Sequence, residues 1–309
     1  MSFTGEIKQE VAYNELKECC SRAELSALIQ FTSSLVIEDH ELGLLVRTEN
    51  PTTAKRILTL LKKLYGVKTK LSVSQKTNLR KNNVYTLNIK ADAVRILTDL
   101  GLYSEKGLLE HPRFPIIKKD CCARAYLAGS FIAYGACNSP SKTNYHLEIS
   151  FDSAEHAEFV LKLITRFGIE AKISKRRKRY VVYLKKADAI SDFLRLIGAH
   201  ESLMNFENSR INRDFRNSLT RLDNCEIANE MKSMDASRRQ MEAIEKIADS
   251  GKLDTLDEKL RNVVEIRRKH QDFSLPELCN EYLRAYGESI SKSGLKHRLN
   301  KIEAIAKGL

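Results

Sequence analysis

Apolar positions along the chain follow two rhythms, and the rhythms alternate in a fixed order. Leu25, Leu28 and Ile29 stand at i, i+3 and i+4, which is one face of a helix. Apolar runs of strand length follow at Leu42–Thr48 and again at Tyr145–Phe151. Helical spacing returns over Thr52–Tyr65 and Ser153–Phe167, with Gly66 and Gly168 placed where a left-handed residue closes a helix. Alternation in Val67-Lys68-Thr69-Lys70-Leu71 and Ile169-Glu170-Ala171-Lys172-Ile173 predicts strands with one buried and one polar face.

The same landmarks occur twice. Cys19-Cys20 returns as Cys121-Cys122, LSALIQFTS from Leu25 as LAGSFIAYG from Leu127, and Gly66-Val67 as Gly168-Ile169, all at an offset of 102 residues. Ala91-Asp92-Ala93 returns as Ala187-Asp188-Ala189 at an offset of 96, because the second copy lacks six residues where the first carries the loop Gln75–Asn83. Each copy reads helix, two strands, helix, two strands, helix. Repeat one covers about residues 19–101 and repeat two about 120–199, joined by a link containing Pro112 and Pro115. The fold class predicted is α+β: two αββαββα repeats forming a pseudo-dimeric saddle over residues 1–204, followed by an all-α domain.

Strands vanish after this body. Residues 205–222 are rich in Asn and Arg, and Arg210, Arg213 and Arg216, three apart, share one flank of a helix. This predicts a connecting helix; Arg210 and Arg213 are its candidate phosphate contacts, and a plain solvated linker is the alternative. In residues 223–309, Met241, Ile244 and Ile247 form one inward stripe and Leu260, Val263, Val264 and Arg267 a second. Ser274 and Glu277 form a capping-box pattern around Pro276, ahead of the inward positions Leu278, Tyr282 and Leu283. After Gly287, Ser291 caps a last helix whose Leu295, Leu299 and Ile302 make a core stripe. Lys292, Ser293, Lys296, His297 and Asn300 project elsewhere, as the reading residues of a helix-turn-helix do.

Charge sharpens the picture. The 309 residues carry a net charge of +12, of which residues 205–309 supply only +2. Residues 118–186 alone hold 14 basic and 6 acidic side chains. Such a patch suits a polyanion, nucleic acid above all, and double-stranded DNA is the partner predicted. Lys172, Ser174 and Arg176 are placed on the polar face of one strand, and Lys175–Arg179, with Arg177 and Arg179, in a basic hairpin tip able to track phosphates. A solvated hairpin, or a surface for another acidic partner, is the alternative. No signal segment or membrane-length apolar run is present, so a cytoplasmic, nucleoid-associated protein is expected, without membrane contact. The seven cysteines show neither a CxxC ladder nor Cys/His metal spacing. They are read as reduced, semi-buried small residues, with no metal and no cofactor expected; zinc binding or redox sensing is the alternative.

Leu127-Ala128-Gly129-Ser130-Phe131-Ile132-Ala133-Tyr134-Gly135 resembles the LAGLIDADG motif at its first three, seventh and ninth positions. The order of elements in each copy is similar to the same fold. Small residues at Ala27, Ala128 and Gly129 suit two motif helices that meet backbone to backbone. The resemblance implies metal-binding acids at the eighth position of each motif. Here those positions are Thr32 and Tyr134, and the sixth positions are Gln30 and Ile132. A hydroxyl and a phenol do not replace the carboxylates that Mg²⁺ requires, so no catalytic residue is assigned. Glu38 and Asp39 follow Thr32 with no early counterpart after Tyr134.

The last helix is similar to the DNA-reading helices of bacterial sigma factors. The linear order of body, connector and helix-turn-helix resembles the WhiA family across essentially the whole chain. That resemblance implies a transcriptional regulator of Gram-positive bacteria, tied to sporulation in some lineages and to cell division and chromosome segregation in others. The rival expectations are a scaffold for division or nucleoid proteins, and a divergent metal-dependent endonuclease. A monomer is expected, because the internal pseudo-dimer removes one reason to dimerise.

Overall fold

The computed structural model describes residues 1–38, 41–75, 82–90, 92–105, 107–142 and 144–309; Asp39, the loop residues 76–81 and Ala91 of the sequence landmarks lie outside them. It divides into two compact units, Met1–Arg213 and Asp214–Leu309. This division falls inside the connector expected at 205–222.

The first unit opens with α1 (Phe3–Tyr13). Repeat one then runs α2 (Glu18–Thr32), β1 (Ser33–Glu38), β2 (Glu41–Thr48), α3 (Pro51–Tyr65), β3 (Leu71–Gln75), β4 (Asn83–Ile89) and α4 (Ala93–Asp99). A link holding β5 (Tyr103–Ser104), β6 (Gly107–Leu108) and α5 (Phe114–Ile117) leads to repeat two. That repeat runs α6 (Asp120–Tyr134), β7 (Gly135–Cys137), β8 (Leu147–Phe151), α7 (Ala154–Thr165), β9 (Lys172–Arg176), β10 (Arg179–Leu184) and α8 (Ala187–Leu196). The two antiparallel four-stranded sheets have matching orders, β1-β2-β4-β3 and β7-β8-β10-β9. The αββαββα order read from the sequence is therefore present twice.

Local chemistry explains the boundaries. Asn50 caps α3 by accepting from the amides of Thr52 and Thr53, with Pro51 in the first turn where no amide donor is needed. Gly66 and Gly168 sit at φ +65° and +73°, the conformation a Cβ penalises, and end α3 and the turn after α7. The strands expected at 67–71 and 169–173 begin later, at Leu71 and Lys172. β3 and β9 are also largely exposed rather than half-buried. Each is an edge strand paired on one side only, so alternation there marks the approach to the sheet and not a buried face.

Helices α2 and α6 run side by side in the same direction. Their first turns bring the two cysteine pairs together, and at their far ends the rings of Phe31 and Tyr134 lie 5.6 Å apart. A Cβ on Gly129 would lie 2.6 Å from the Glu24 carbonyl oxygen and 3.0 Å from the Ala27 Cβ. The expected close approach of small residues is met. Against this pair packs one continuous core that includes Leu28, Leu44, Leu87, Tyr126, Phe131, Ile149 and Phe193. Beside it, buried Glu24 pairs with Arg56 at 2.5 Å, and Arg56 also donates to the Asn14 carbonyl at 3.0 Å. Burial raises the Glu24 pKa against the opposing pull of Arg56.

Helix α9 (His200–Asp249) takes in both the expected connector and the inward stripe of Met241, Ile244 and Ile247. Its start is capped from α1, where the Glu10 carboxylate accepts from the amides of Glu201 (2.7 Å) and Ser202 (3.0 Å). The second unit adds α10 (Glu258–Lys269), α11 (Leu275–Tyr286) and α12 (Lys292–Lys307), with a core of its own built on Ile244, Ile247, Leu260, Val263, Leu278, Tyr282, Leu295 and Leu299. Leu283, expected to face inward, is 48% exposed. The turns of α11 put Leu278, Cys279, Tyr282 and Tyr286 inward instead. All seven thiols are free; Cys121 and Cys225 are exposed, not semi-buried. No helix among the described residues is long and apolar enough to cross a membrane.

Candidate nucleic-acid interface

In the second unit, the turn between α11 and α12 is shaped by Gly287, at φ +69°, which closes α11. The start of α11 is held as the capping-box pattern requires: the Ser274 amide and hydroxyl each donate to Glu277 at 2.7 Å, and these bonds lower the Glu277 pKa. Ser291 opens α12 by accepting from the Gly294 amide at 3.1 Å. With that start set, the helical period decides which side chains are left outside. Leu295, Leu299, Ile302 and Ala306 are buried; Lys292, Ser293, Lys296, His297 and Asn300 are all exposed. The structure thus brings all five sequence-predicted residues to the outer side of one helix. Ser293 also bonds the Ser291 hydroxyl at 3.1 Å, which ties it to the cap.

Two residues of α12 were not singled out from the sequence. Lys301 is exposed four residues after His297 and extends the same face. Arg298 turns inward: its Nη1 donates to the Tyr282 hydroxyl at 2.9 Å, with its guanidinium 5.4 Å from that ring's centroid. Arg298 therefore fixes α12 against α11. The heptad-like stripe signals Lys301, whereas a tyrosine 16 residues away in sequence is needed to explain Arg298.

In the first unit, β10 pairs with both β8 and β9, so its register decides which side chains share the front of the second sheet. Tyr183 faces both Glu148 and Lys172, Val181 both Ser150 and Ser174, and Arg179 faces Arg176. Lys172, Ser174 and Arg176 lie on one face, as expected. That face also carries acids. Glu148 accepts from Arg176 at 2.9 Å and from His146 at 2.7 Å, and Asp152 holds Arg179 through two bonds of 2.8 and 3.4 Å. Arg179 also lies 5.1 Å from the Tyr134 ring centroid, and Asp152 raises its pKa.

Two of these basic residues, Arg176 and Arg179, make ion pairs on the sheet. The acids that pair with them arrive across strands and not along the sequence. The connector arginines are engaged too. Arg210 pairs with Asp188 at 2.5 Å, and Arg213 donates to the Lys142 carbonyl at 2.6 Å while stacking 4.2 Å from the Tyr145 ring centroid. Lys172 and Arg177 remain exposed, as do their neighbours Lys175 and Lys178. Arg177 sits in the two-residue turn of the hairpin at φ +54° and is exposed.

The two motif positions lie at the foot of α2 and α6. Thr32 is buried and donates to the Leu28 carbonyl at 2.7 Å; Tyr134 is half-buried between Phe31 and Arg179. Both line a cleft of about 610 Å³ with Arg47, Asn50, Ser74, Gln75 and Thr86. Glu49 is its one acidic lining residue among those described. The sixth position, Gln30, donates to the Leu109 carbonyl at 3.0 Å, so it braces the link between the repeats.

Three segments match described domains: residues 18–103 the WhiA N-terminal LAGLIDADG-like domain, 123–216 the WhiA LAGLIDADG-like domain, and 219–306 the WhiA C-terminal helix-turn-helix domain. A probable cell division protein WhiA of Bacillus cereus (strain G9842) is 44% identical over 310 residues, spanning 100% of this chain and 97% of the relative. The protein of the same name from Bacillus anthracis (strain CDC 684 / NRRL 3495) gives the same identity and coverage. Among solved structures, full-length WhiA from Thermotoga maritima is 24% identical and superimposes with a TM-score of 0.60, over 100% of this chain and 99% of that one.

Proposed function

The chain belongs to the WhiA family, and from that premise we propose that it is a non-catalytic, DNA-binding transcriptional regulator acting in cell division and chromosome segregation. The observation that carries this reading is the outer side of α12, where Lys292, Ser293, Lys296, His297 and Asn300 are exposed together while the opposite stripe is locked into the core. A helix so anchored presents its first turns to the major groove, with the lysines on phosphates and Asn300 or His297 within reach of base edges. Lys172, Arg177 and their neighbours on the β9–β10 hairpin supply additional phosphate contact. The curated relatives named as probable cell division proteins support the cellular assignment, and the partner is double-stranded DNA, bound by a monomer at the nucleoid.

Catalysis is left out of the proposal because of what occupies the motif positions. A metal-assisted phosphodiester cleavage needs carboxylate oxygens on both motif helices. Thr32 spends its hydroxyl on a helix carbonyl, and Tyr134 is packed between an aromatic ring and a guanidinium. Plasmid nicking that depends on Mg²⁺ or Mn²⁺ and stops on chelation would overturn this part.

Chromatin immunoprecipitation with sequencing tests the whole reading, comparing the native protein with Lys292→Ala/Lys296→Ala. Discrete promoter peaks that disappear in the variant are the expected result. Peaks that persist would transfer recognition to the first unit, and a lack of discrete peaks would replace the regulator with a protein-binding scaffold.

A further inference from the structure

The duplicated cysteine pairs serve no purpose in the reading above, yet the fold assembles them. Cys19-Cys20 lie in the first turn of α2 and Cys121-Cys122 in the first turn of α6. Because the two helices run in parallel at the centre of the pseudo-dimer, equivalent positions of the two repeats come face to face at this end. The four sulfurs lie within 4.8 Å of one another. Within the pairs the separations are 4.0 Å for Cys19–Cys20 and 3.9 Å for Cys121–Cys122.

We propose that Cys19, Cys20, Cys121 and Cys122 form a tetrathiolate site for one soft, tetrahedral divalent cation, of which zinc is the best match. The geometry sets the choice. A tetrahedron with metal–sulfur bonds of ~2.3 Å has sulfur–sulfur edges of about 3.8 Å. Both pairs already stand at that edge length, and the remaining edges need to contract by no more than about 1 Å from the observed 4.8 Å limit. A disulfide bond requires ~2.05 Å and a much larger movement. Hard cations prefer oxygen ligands, which are not what this cluster offers.

The helix starts flank the cluster. Both helices begin at lysines, Lys17 and Lys119, neither of which makes a side-chain cap. The positive ends of the two helix dipoles therefore lie beside the sulfurs. The nearest acids are committed elsewhere: Glu18 to Arg22 at 3.1 Å and Asp120 to Arg166 at 2.5 Å. Cys20 and Cys122 are buried while Cys121 is exposed, so the site is closed on the protein side and open to entry from solvent. A bound ion would cross-link two residues from each repeat across about a hundred positions of chain, holding the motif helices together at the end opposite the degenerate cleft.

The test uses the full chain, purified without an affinity metal and under reductant, then equilibrated with a nanomolar zinc buffer. Elemental analysis is expected to give one zinc per chain, released as a mercurial titrates four thiols. Co²⁺ loaded in its place is expected to show the intense visible bands of a tetrahedral tetrathiolate. Cys19→Ser/Cys121→Ser is expected to weaken zinc binding by at least about 100-fold, the upper range for losing even an outer partner of a ligand. Cys225→Ser, in the other unit, is expected to change nothing. Chelation is expected to lower the melting temperature of the wild type by roughly 10 °C at saturating metal. Folded wild type that takes up no zinc, a mass 2 Da low from a disulfide, or bound iron would each overturn the proposal. If the double variant does not fold, zinc content and the cobalt spectrum of the wild type still decide it.

Discussion

Gly129 lies against the carbonyl oxygen of Glu24 so closely that a β-carbon on it would stand 2.6 Å away. The neighbour is backbone on a helix whose opposite side is core, so it has little room to yield. Gly129→Ala is expected to destabilise the first unit by about 2–3 kcal/mol, the upper part of the range for inserting atoms into a filled core. Its melting temperature should fall by roughly 5–10 °C in a calorimetric scan. An unchanged melting temperature would mean that the helix pair separates freely, contrary to the packing described.

The same core holds a histidine in its neutral form. Nε2 of His156 is 2.8 Å from the Tyr126 hydroxyl, and its ring is enclosed by Phe31 and Phe151. Burial, with the charge of His111 second, pushes its pKa from 6.5 down to about 4. The unfolded chain therefore binds this proton below pH 6.5 while the folded chain resists it until about pH 4. Stability is fully present above the higher value and is lost as pH falls between the two. Urea unfolding at pH 7.5 and 4.5 is expected to show a loss of roughly 2–3 kcal/mol from this group. His156→Gln should remove that share of the slope; an unaltered slope would place the titration elsewhere.

How much of this was readable in advance follows from where the information lies. The double αββαββα order was legible because each landmark appears twice, so Gly66 and Gly168 support one another. The outer side of α12 was legible because Ser291, Leu295, Leu299 and Ile302 are local and set the helix phase by themselves. Pairings across strands were not. Asp152 meets Arg179 only once β8 and β10 are in register, and nothing near Arg179 in sequence announces that acid. Glu10 was equally hidden, since its partners Glu201 and Ser202 lie about 190 residues on. The cysteine cluster escaped for a related reason: metal spacing is a pattern along one segment, whereas here two adjacent pairs are joined by pseudo-symmetry.

The lysines of α12 make a quantitative claim on salt. Each phosphate neutralised adds about −0.9 to the slope of log K against log salt. Lys292→Ala/Lys296→Ala is thus expected to make the slope shallower by about 1.8 on a short promoter duplex, read by fluorescence anisotropy across a salt series. Unfolding of the second unit should be unaltered, because both side chains are exposed. A slope that does not move would take the phosphates away from this helix.

Arg177 and Arg179 separate contact from architecture in the hairpin. Arg177→Gly removes one charge and relieves a left-handed backbone at φ +54°, so stability should rise by about 0.5–1 kcal/mol. If the hairpin touches DNA, the salt slope becomes shallower by about 0.9 at the same time. Arg179→Ala should act in the opposite sense on stability. It breaks the pairing to Asp152 and the contact with Tyr134, at a cost of up to about 1 kcal/mol for a half-exposed pair.

Arg267 makes the strongest claim on the second unit. It is 2% exposed and has no acid among its bonded partners; its guanidinium donates to the Gln240 side chain at 2.9 Å and to the carbonyls of Phe273 (2.7 Å), Gln271 (3.3 Å) and His270 (3.4 Å). Burial lowers its pKa, yet guanidinium is basic enough to keep its charge there. These bonds tie α9 and α10 to the segment from which α11 begins, and so set the base on which α12 is presented. Arg267→Met fills the space but leaves those acceptors without a donor, at an expected cost of about 3 kcal/mol. Arg267→Lys should recover little, since an ammonium does not reproduce the fork that reaches four acceptors. Hydrogen exchange would localise the effect: faster exchange through residues 236–306, with residues 1–200 unchanged. Faster exchange confined to the immediate turn at 270–274, with DNA affinity intact, would show that α12 holds its position without this arginine.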